Sequence, residues 1–236
     1  MVKFLVLALF YGDHPELALR CGATLRALWN TGKVDVRIGL NEASPRTIAV
    51  LDELLPGVDR EVADPQIYKH PMMRRLVANY RGDATHMMWF DDDSCLQPAV
   101  EVAGWLRAVT QRAEHTPGAL AALFTTQLYQ PQKDWIRRKS WYRGREIPDE
   151  LKFPVGGWTV LPLELMRRTG YPDANVNQAG DIVLGALLHQ EGLAPEHFHM
   201  GLAINADARL RDAASPRRGI VPHGPRQDWG IWGPAP

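Results

Sequence analysis

Residues 84 to 97 read ATHMMWFDDDSCLQ, and this stretch decides the fold that we predict for the chain. The apolar run from Met87 to Phe90 is short and bulky and has no helical period, which favours a strand buried on both faces. The run stops at three consecutive aspartates, Asp91, Asp92 and Asp93. Ligands of open α/β sheets bind at the edge where such strands end, so these carboxylates stand where a site is expected.

The aspartate cluster has two interpretations. Adjacent carboxylates repel one another and are hard to desolvate unless a cation joins them. Mg²⁺ and Mn²⁺ prefer carboxylate oxygens and bridge to substrate phosphates, so a divalent cation carrying a pyrophosphate fits the cluster. The alternative is a solvated turn, Asp-Asp-Asp-Ser, that caps a helix beginning near Pro98. The buried strand directly before the aspartates favours the metal site.

Composition describes an ordinary globular protein. The chain has 236 residues, of which 45% are hydrophobic and 23% charged, enough for one α/β domain with a real core. Positive and negative side chains balance, so no overall field attracts nucleic acid or an anionic membrane, although a local basic patch is compatible with this. Cys21 and Cys95 form neither a disulfide framework nor a metal-ligand spacing, which indicates reduced thiols.

The expected location is cytoplasmic, or the host cytoplasm if a phage encodes the chain. The apolar opening from Phe4 to Phe10 is too short for a membrane span and lacks a cleavage site, so it is interpreted as the first strand.

Strands and helices alternate from the first residues. Strands are predicted at 2–10, 34–40, 87–90 and 119–125, and helices at 15–28, 45–55, 68–80, 98–112, 163–168 and 178–190. This alternation is typical of an α/β fold with a doubly wound, mostly parallel sheet. We predict a single domain over residues 1–216, followed by an extended tail over 217–236 that is rich in Pro, Gly and Trp and closes over the site.

Two motifs resemble one enzyme family. The segment MMWFDDDS at 87–94 resembles the DxD segment of GT-A glycosyltransferases, closest to the family-2-like enzymes. The segment FPVGGWTVL at 153–161 resembles the Gly-Gly segment that borders donor sugar and acceptor in GT-A enzymes, here Gly156 and Gly157. The resemblance extends to about residue 205. It implies a GT-A fold, a nucleoside diphosphate sugar donor and a bound Mn²⁺ or Mg²⁺.

The resemblance also assigns roles to acidic residues. Asp91 and Asp93 would hold the metal, and Asp91 and Asp92 would face the donor. Asp181 begins a helix after the Gly-Gly segment, at the place where inverting members carry the base that deprotonates the acceptor hydroxyl. A helix cap is the alternative for Asp181. His223, in a Pro/Gly frame of the tail, is the candidate for a further metal ligand.

Loops after the first two strands hold the nucleotide in this family. By position these are Tyr11, Gly12 and Asp13 after the first strand and Asn41 after the second. Tyr11 would stack on the base, and Asp13 or Asn41 would bind its edge or the ribose. The alternative is a plain turn with Asp13 as a helix cap. Asn41-Glu42 stands where an acidic pair is expected, which leaves recognition of the base open.

Basic and aromatic residues supply two further candidate groups. The family carries an arginine facing the diphosphate on the helix before the DxD strand, and Arg74 and Arg75 occupy that place. A solvated basic face is the alternative. Trp135 and Trp141 lie in a basic, aromatic region at 127–150, and with Trp158 they are candidates for stacking on the acceptor. Here the alternative is a surface excursion whose tryptophans fill a satellite core.

The sequence therefore predicts a metal-dependent, inverting hexosyltransferase, with UDP-glucose as the first candidate donor. The acceptor is a saccharide, a small molecule or DNA, because some similar compact phage enzymes glycosylate hydroxymethylated pyrimidines in DNA. One alternative is a nucleotidyltransferase, which normally has a Gly-rich phosphate loop with Arg or Lys after its first strand, unlike the Tyr-Gly-Asp-His at residues 11–14. The other is a non-catalytic carbohydrate-binding domain.

Overall fold

The structure of the chain, a computed structural model, describes residues 1–65, 67, 69–172 and 180–204, with only the backbone of residues 155 and 156. In these ranges the elements are, in chain order, β1 (Phe4–Gly12), α1 (Pro15–Trp29), β2 (Val34–Ala43), α2 (Pro45–Leu54), β3 (Asp59–Ala63), α3 (Lys69–Ala78), β4 (His86–Asp91), β5 (Cys95–Leu96), α4 (Val102–His115), β6 (Leu120–Gln127), α5 (Gln130–Arg137), β7 (Glu150–Pro162), α6 (Leu163–Thr169), α7 (Gly180–Gln190), β8 (Glu196–His197) and β9 (Leu202–Ala203). The predicted tail and its His223 lie outside the described residues.

A mixed, mostly parallel sheet forms the centre of the molecule. Its strand order is β3-β2-β1-β4-β7-β6-β8, and a separate ribbon pairs β5 with β9. Strand β1 pairs in parallel with both β2 and β4, whereas β7 runs antiparallel between β4 and β6. The predicted α/β fold class is confirmed. None of the helices in the described ranges combines the length and apolar character that crossing a bilayer requires.

Alternate residues of the central strands fill two separate cores. Leu5, Leu7 and Leu9 of β1 belong to the core beneath α3, α5, α6 and α7, while Phe4, Val6, Ala8 and Phe10 belong to the core beneath α1, α2 and α4. Strand β4 is divided in the same way, with Trp89 on the first side and Phe90 on the second. The prediction of a strand buried on both faces is confirmed, because helices cover both sides of the sheet.

The segment after the aspartates differs from its prediction. The chain turns at Asp91, whose carbonyl accepts the Ser94 N–H at 2.9 Å, and then forms β5 before any helix begins. Helix α4 starts at Val102, and the Glu101 carboxylate caps it by accepting the N–H groups of Ala103 and Gly104 at 2.8 and 2.5 Å. The aspartates therefore do not cap this helix. Pairing of β5 with β9 holds the intervening backbone extended and delays the helix start.

The three candidate stacking tryptophans are buried. Trp158 packs edge-on against Trp105 and tilted against Phe198, with ring centroids 5.9 and 5.5 Å apart. Trp135 and Trp141 belong to the core on the α7 side of the sheet. This burial corrects the prediction of an open stacking surface, since each indole already packs within the protein and leaves no ring face for a sugar.

The basic segment that follows α5 is held at the far end of α7. The Gln190 side chain accepts the backbone N–H groups of Arg143 and Arg145 at 3.2 and 3.1 Å and donates to the Arg145 carbonyl at 2.9 Å. Asp181 lies in the first turn of the same helix, roughly 13 Å away along its axis. The segment is therefore fixed away from Asp181.

Candidate active site

The site is built around Asp91, the last residue of β4. Its Oδ1 accepts the Trp89 indole N–H at 2.6 Å and forms an ion pair with Lys69 Nζ at 2.8 Å. The side chains of Lys69 and Asp91 are 26% and 23% exposed, so the pair is half-buried but open to solvent on one side. Lys69 also lies over the Trp89 ring, 5.5 Å from its centroid. Together these contacts fix the carboxylate toward the start of α3.

Lys69 stands within a group of carboxylates. Burial alone would lower the pKa of Lys69, but the charges of Asp91, Asp181 and Asp93 and the hydrogen bond to Asp91 raise it above its usual range. The ammonium group is therefore charged at every physiological pH. The sequence analysis gave no role to this residue. The available signal was its place at the start of the helix before the DxD strand, which is the helix end that meets the carboxyl edge of the sheet.

Asp181 lies in the first turn of α7 and lines a small cavity with Lys69, Trp89 and Tyr171. Burial, and after it the charge of Asp181, raise the pKa of the Tyr171 hydroxyl. The structure thus brings Asp181 to the cation that also pairs with Asp91.

Gly180 explains how α7 approaches so closely. It packs against the buried His70 of α3, and a Cβ atom at position 180 would overlap the imidazole. Only a glycine lets the first turn of α7 contact the first turn of α3. The glycine before Asp181 therefore has a packing reason that the spacing of residues did not show.

Asp92 and Asp93 are both 3% exposed, within the turn that follows β4. Burial raises the pKa of the Cys21 thiol on α1, and Asp92 contributes most among the nearby charges. Asp93, by contrast, contributes to the raised pKa of Lys69. The charges of Asp91 and Asp93 also raise the pKa of the Cys21 thiol, so the whole aspartate turn lies between α1 and α3.

The donor set suits a hard divalent cation. The Lys69 ammonium at Asp91 is a stand-in cation, which shows that this carboxylate accepts positive charge. In the described ranges no three His, Cys, Asp or Glu side chains form a ready-made metal cage. Mg²⁺ needs none, because it is commonly held by one or two carboxylates, waters and substrate phosphates. The partly exposed carboxylate of Asp91 fits that role. Asp93 as a second ligand stays a prediction, and His223 lies outside the described residues.

The Gly-Gly segment borders the same edge of the sheet. Phe90 pairs with Trp158 at the end of the antiparallel β4–β7 ladder, and Gly157 and Asp91 are the next residues of the two strands. The backbone of Gly156 follows within β7. A stretch of backbone without side chains therefore adjoins the aspartates, which lets a ligand approach closely.

The loop after β1 lies at this edge too, because Leu9 pairs with Asp91 and Tyr11 with Asn41. The Gly12 carbonyl accepts the Ser44 N–H at 2.9 Å. The Asp13 carboxylate accepts the Ser44 hydroxyl at 2.6 Å and pairs with Arg46 at 3.1 Å. Asp13 thus binds the start of α2 and does not cap its own helix, since His14 is the N-cap of α1 and the cap makes no side-chain hydrogen bond. The Tyr11 ring meets His14 edge-on, 5.5 Å between centroids.

Asn41 has a structural contact in place of the predicted nucleotide contact. It is buried, its amide N–H₂ donates to the Ile67 carbonyl, and its Oδ1 accepts the Ile67 N–H at 2.7 Å. Both polar ends of the side chain are thereby hydrogen-bonded to the backbone of one residue, Ile67. This corrects the prediction that Asn41 binds the base or ribose. Its effect is to hold the backbone just ahead of Lys69.

With this geometry in place, comparison with known proteins addresses the fold. No protein-family model matches the chain, and no curated protein matches it. The mannosyltransferase PcManGT from Pyrobaculum calidifontis, solved with GDP-Man and Mn²⁺, is similar with a TM-score of 0.56 and 15% identity over 83% of this chain and 54% of that one. S. aureus TarS is similar with a TM-score of 0.55 and 10% identity over 84% of this chain and 35% of that one. The chain therefore shares the fold of these two proteins. It spans about half and about a third of the lengths of these two proteins.

The two predicted diphosphate ligands, Arg74 and Arg75, line a groove together with Gly170 and Pro172. Helix α3 starts with Lys69 at the sheet edge, and Arg74 follows roughly 7 Å further along the axis. The Arg74 guanidinium donates to the carbonyls of Gly170 and Pro172 at 3.1 and 3.0 Å, just past the end of α6. Arg74 is thus bound at the end of α6, and Lys69 is the basic side chain that meets Asp91. An arginine that binds the diphosphate stays a prediction.

A second groove lies between the start of β1 and α4, lined by apolar side chains such as Phe4 and Leu106. It is at the opposite edge of the sheet from Asp91, because β1 begins there. Glu114 is the one carboxylate among its described lining residues. Lys3, Lys33 and Arg107 also line this groove. Its described lining therefore has no cluster of carboxylates like the one at the Asp91 edge.

Proposed function

We propose that the protein is a metal-dependent glycosyltransferase that moves a hexose from a nucleoside diphosphate sugar to an acceptor hydroxyl with inversion. One observation carries the proposal. Lys69 forms an ion pair with Asp91 at the end of the central strand, and it lines the same small cavity as Asp181, which is far away in sequence. A carboxylate that holds a cation and a second carboxylate that accepts a proton are the two groups that this transfer requires.

The donor in this proposal is a nucleoside diphosphate hexose held with Mn²⁺ or Mg²⁺. The solved complex of PcManGT with GDP-Man and Mn²⁺ supports this donor class. UDP-glucose, expected from the resemblance, and GDP-mannose are therefore the first two donors to compare. The backbone of Gly156 and Gly157 would leave room for the sugar. The nucleoside would lie beside the carboxyl end of β1, next to Tyr11, Gly12 and Asp13.

The chemistry follows from the positions of the side chains. The acceptor oxygen attacks the anomeric carbon and forms the new glycosidic bond, while the bond from that carbon to the diphosphate oxygen breaks and its electron pair leaves with the diphosphate. The Asp181 carboxylate accepts the proton of the attacking hydroxyl. A bound Mn²⁺ or Mg²⁺ would neutralise the charge of the leaving diphosphate. Lys69 supplies a further positive charge at the same edge.

A donor-hydrolysis screen tests this proposal. We expect at least one sugar donor to release nucleoside diphosphate when Mn²⁺ is present. Without Mn²⁺ the rate of release should stay within about tenfold of the uncatalysed background. A donor labelled in the sugar separates the enzyme classes, because a nucleotidyltransferase would transfer the nucleotidyl group and leave the sugar phosphate. Binding of sugars with no turnover of any donor would instead indicate a carbohydrate-binding domain.

The acceptor is a saccharide or a hydroxymethylated pyrimidine of DNA in this proposal, and one groove favours an acceptor with phosphates. Arg74, Arg75 and Arg167 line it. Tyr171 borders this groove and also the cavity that contains Asp181. A phosphate-bearing acceptor bound along the arginines would therefore reach toward the proposed base.

For a DNA acceptor we expect duplex DNA to bind with a steep salt dependence. The double variant Arg75→Glu/Arg167→Glu should bind at least about tenfold more weakly and reduce the slope of log K against log salt by about 2, because each phosphate contact contributes about 0.9. Fluorescence anisotropy at several salt concentrations measures both quantities. Arg26→Glu, an exposed change in the last turn of α1 on the opposite layer, is the control. No binding to DNA at low salt would leave the saccharide as the acceptor.

A further inference from the structure

The Lys69 ammonium already pairs with the Asp91 carboxylate, to which the proposed function assigns the divalent cation. The inference drawn from this pair rests on that proposed function. The Lys69 ammonium is 2.8 Å from Asp91 Oδ1, the same oxygen that accepts the Trp89 indole N–H at 2.6 Å. A divalent cation on Asp91 would therefore enter a position that already holds a positive charge. Two cations on one carboxylate repel each other, so both cannot occupy it without a further anion.

The surroundings of Lys69 show where the ammonium group could go. Its side chain is the first of α3, at the carboxyl edge of the sheet, and about a quarter of it is exposed. The Asn41–Ile67 hydrogen bonds hold the backbone that precedes Lys69. A change of side-chain rotamer can therefore move the ammonium group while the Cα atom of Lys69 stays in place. A donor diphosphate at this edge would bring anionic oxygens within reach of a lysine, which is a compact cation on a flexible stem.

We propose that Lys69 is a counter-ion that exchanges between Asp91 and the donor diphosphate, and that it thereby makes the divalent cation and the donor bind cooperatively. Without donor, Lys69 neutralises Asp91 and opposes the metal. With donor, the diphosphate receives the ammonium, and the freed carboxylate binds the cation. Lys69 is thus a positioning residue whose effect is a binding linkage between two ligands, which must be reciprocal.

The test is Mn²⁺ binding, measured by electron paramagnetic resonance or calorimetry with and without UDP or GDP, which avoids turnover. In the unmodified protein the nucleotide should tighten Mn²⁺ binding by about tenfold or more. In Lys69→Met, Mn²⁺ should bind more tightly without nucleotide, by about tenfold, and the enhancement by nucleotide should shrink toward onefold. Lys69→Arg should retain the enhancement, because it retains the charge.

The linkage separates this role from a merely structural one. A lysine that only stabilised the fold would change Mn²⁺ binding equally with and without nucleotide. Lys133→Met is the matched control, since Lys133 pairs with Asp149 elsewhere in the molecule. Synergistic binding of equal size in the unmodified protein and Lys69→Met would overturn this inference alone. Failure of both proteins to bind Mn²⁺ with either nucleotide would overturn the proposed function as well.

Discussion

Asp181→Asn is expected to lower kcat by about 10³-fold while changing donor affinity little, since a positioned general base contributes about 10² to 10⁴. Asparagine has nearly the same shape as aspartate and can still accept hydrogen bonds, but its amide cannot take the proton of the attacking hydroxyl. The loss should therefore fall on kcat and on kcat/KM for the acceptor alike, which is the pattern of an interaction made only in the transition state.

The measurement is steady-state transfer to the acceptor together with direct binding of the nucleoside diphosphate. Glu164→Gln is the control, because Glu164 is also an acidic residue in the first turn of a helix, here α6, and is exposed. It should leave kcat within about twofold, as exposed substitutions away from special features have small effects. Transfer by Asp181→Asn at more than about a tenth of the original rate would assign the proton to another group.

Asp91→Asn should abolish the response to Mn²⁺ and lower kcat by about 10³-fold, because the metal supplies several kcal/mol of charge stabilisation and each 1.4 kcal/mol is about tenfold in rate. The asparagine Oδ1 can still accept the Trp89 indole N–H, so the local packing is retained. The substitution removes the negative charge that pairs with Lys69 in the absence of donor and would bind the divalent cation in its presence.

Mn²⁺ titration and the rate at saturating metal check this expectation, and thermal unfolding shows whether the variant is folded. Asp149→Asn is the matched control, since it removes the carboxylate of another aspartate–lysine pair, Asp149 with Lys133. Its Mn²⁺ response should be that of the unmodified protein. If Asp91→Asn responded to Mn²⁺ equally well, the cation would have to bind away from β4, and the proposed function would lose its main support.

The two substitutions also separate the alternatives left by the sequence. A carbohydrate-binding domain would keep its affinity in both variants, because neither charge would be needed to hold a sugar on a neutral surface. A nucleotidyltransferase would also lose metal-dependent turnover in Asp91→Asn. The unmodified nucleotidyltransferase, however, would transfer the labelled nucleotidyl group and not the sugar. The labelled-donor assay on the unmodified protein therefore comes first.

Local pattern was sufficient for the architecture. The run from Met87 to Phe90 is apolar on every residue, and such a run can only be buried on both faces, which requires helices on both sides of the sheet. Helical spacing and the Pro15 and Pro45 starts placed α1 and α2 within one residue of their observed bounds. The short strands β3, β5, β8 and β9 were missed, because their two to five residues carry too little periodicity.

Only part of the candidate site could be predicted, because the position of a helical side chain depends on where its helix starts and how the helix is rotated. The position of Asp91 follows from the end of its own strand, and that of Asp181 from the resemblance. Which basic residue of α3 meets Asp91 depends on where the helix starts and how it is turned, and so Arg74 and Arg75 were chosen over Lys69. The amide of Asn41 was expected to bind a ligand, but it forms hydrogen bonds with the backbone N–H and C=O of Ile67.

By itself the sequence determined that β4 is buried, that the sheet is doubly wound and that carboxylates stand at its ligand-binding edge, since burial period and chain order are local properties. Only the tertiary structure decided that Lys69 pairs with Asp91 and shares a cavity with Asp181. It also decided that His70 requires a glycine at 180, and that Trp135 and Trp141 are core residues. These depend on which faces of α3 and α7 come together. That choice is made by packing between residues distant in sequence, and no local pattern records it.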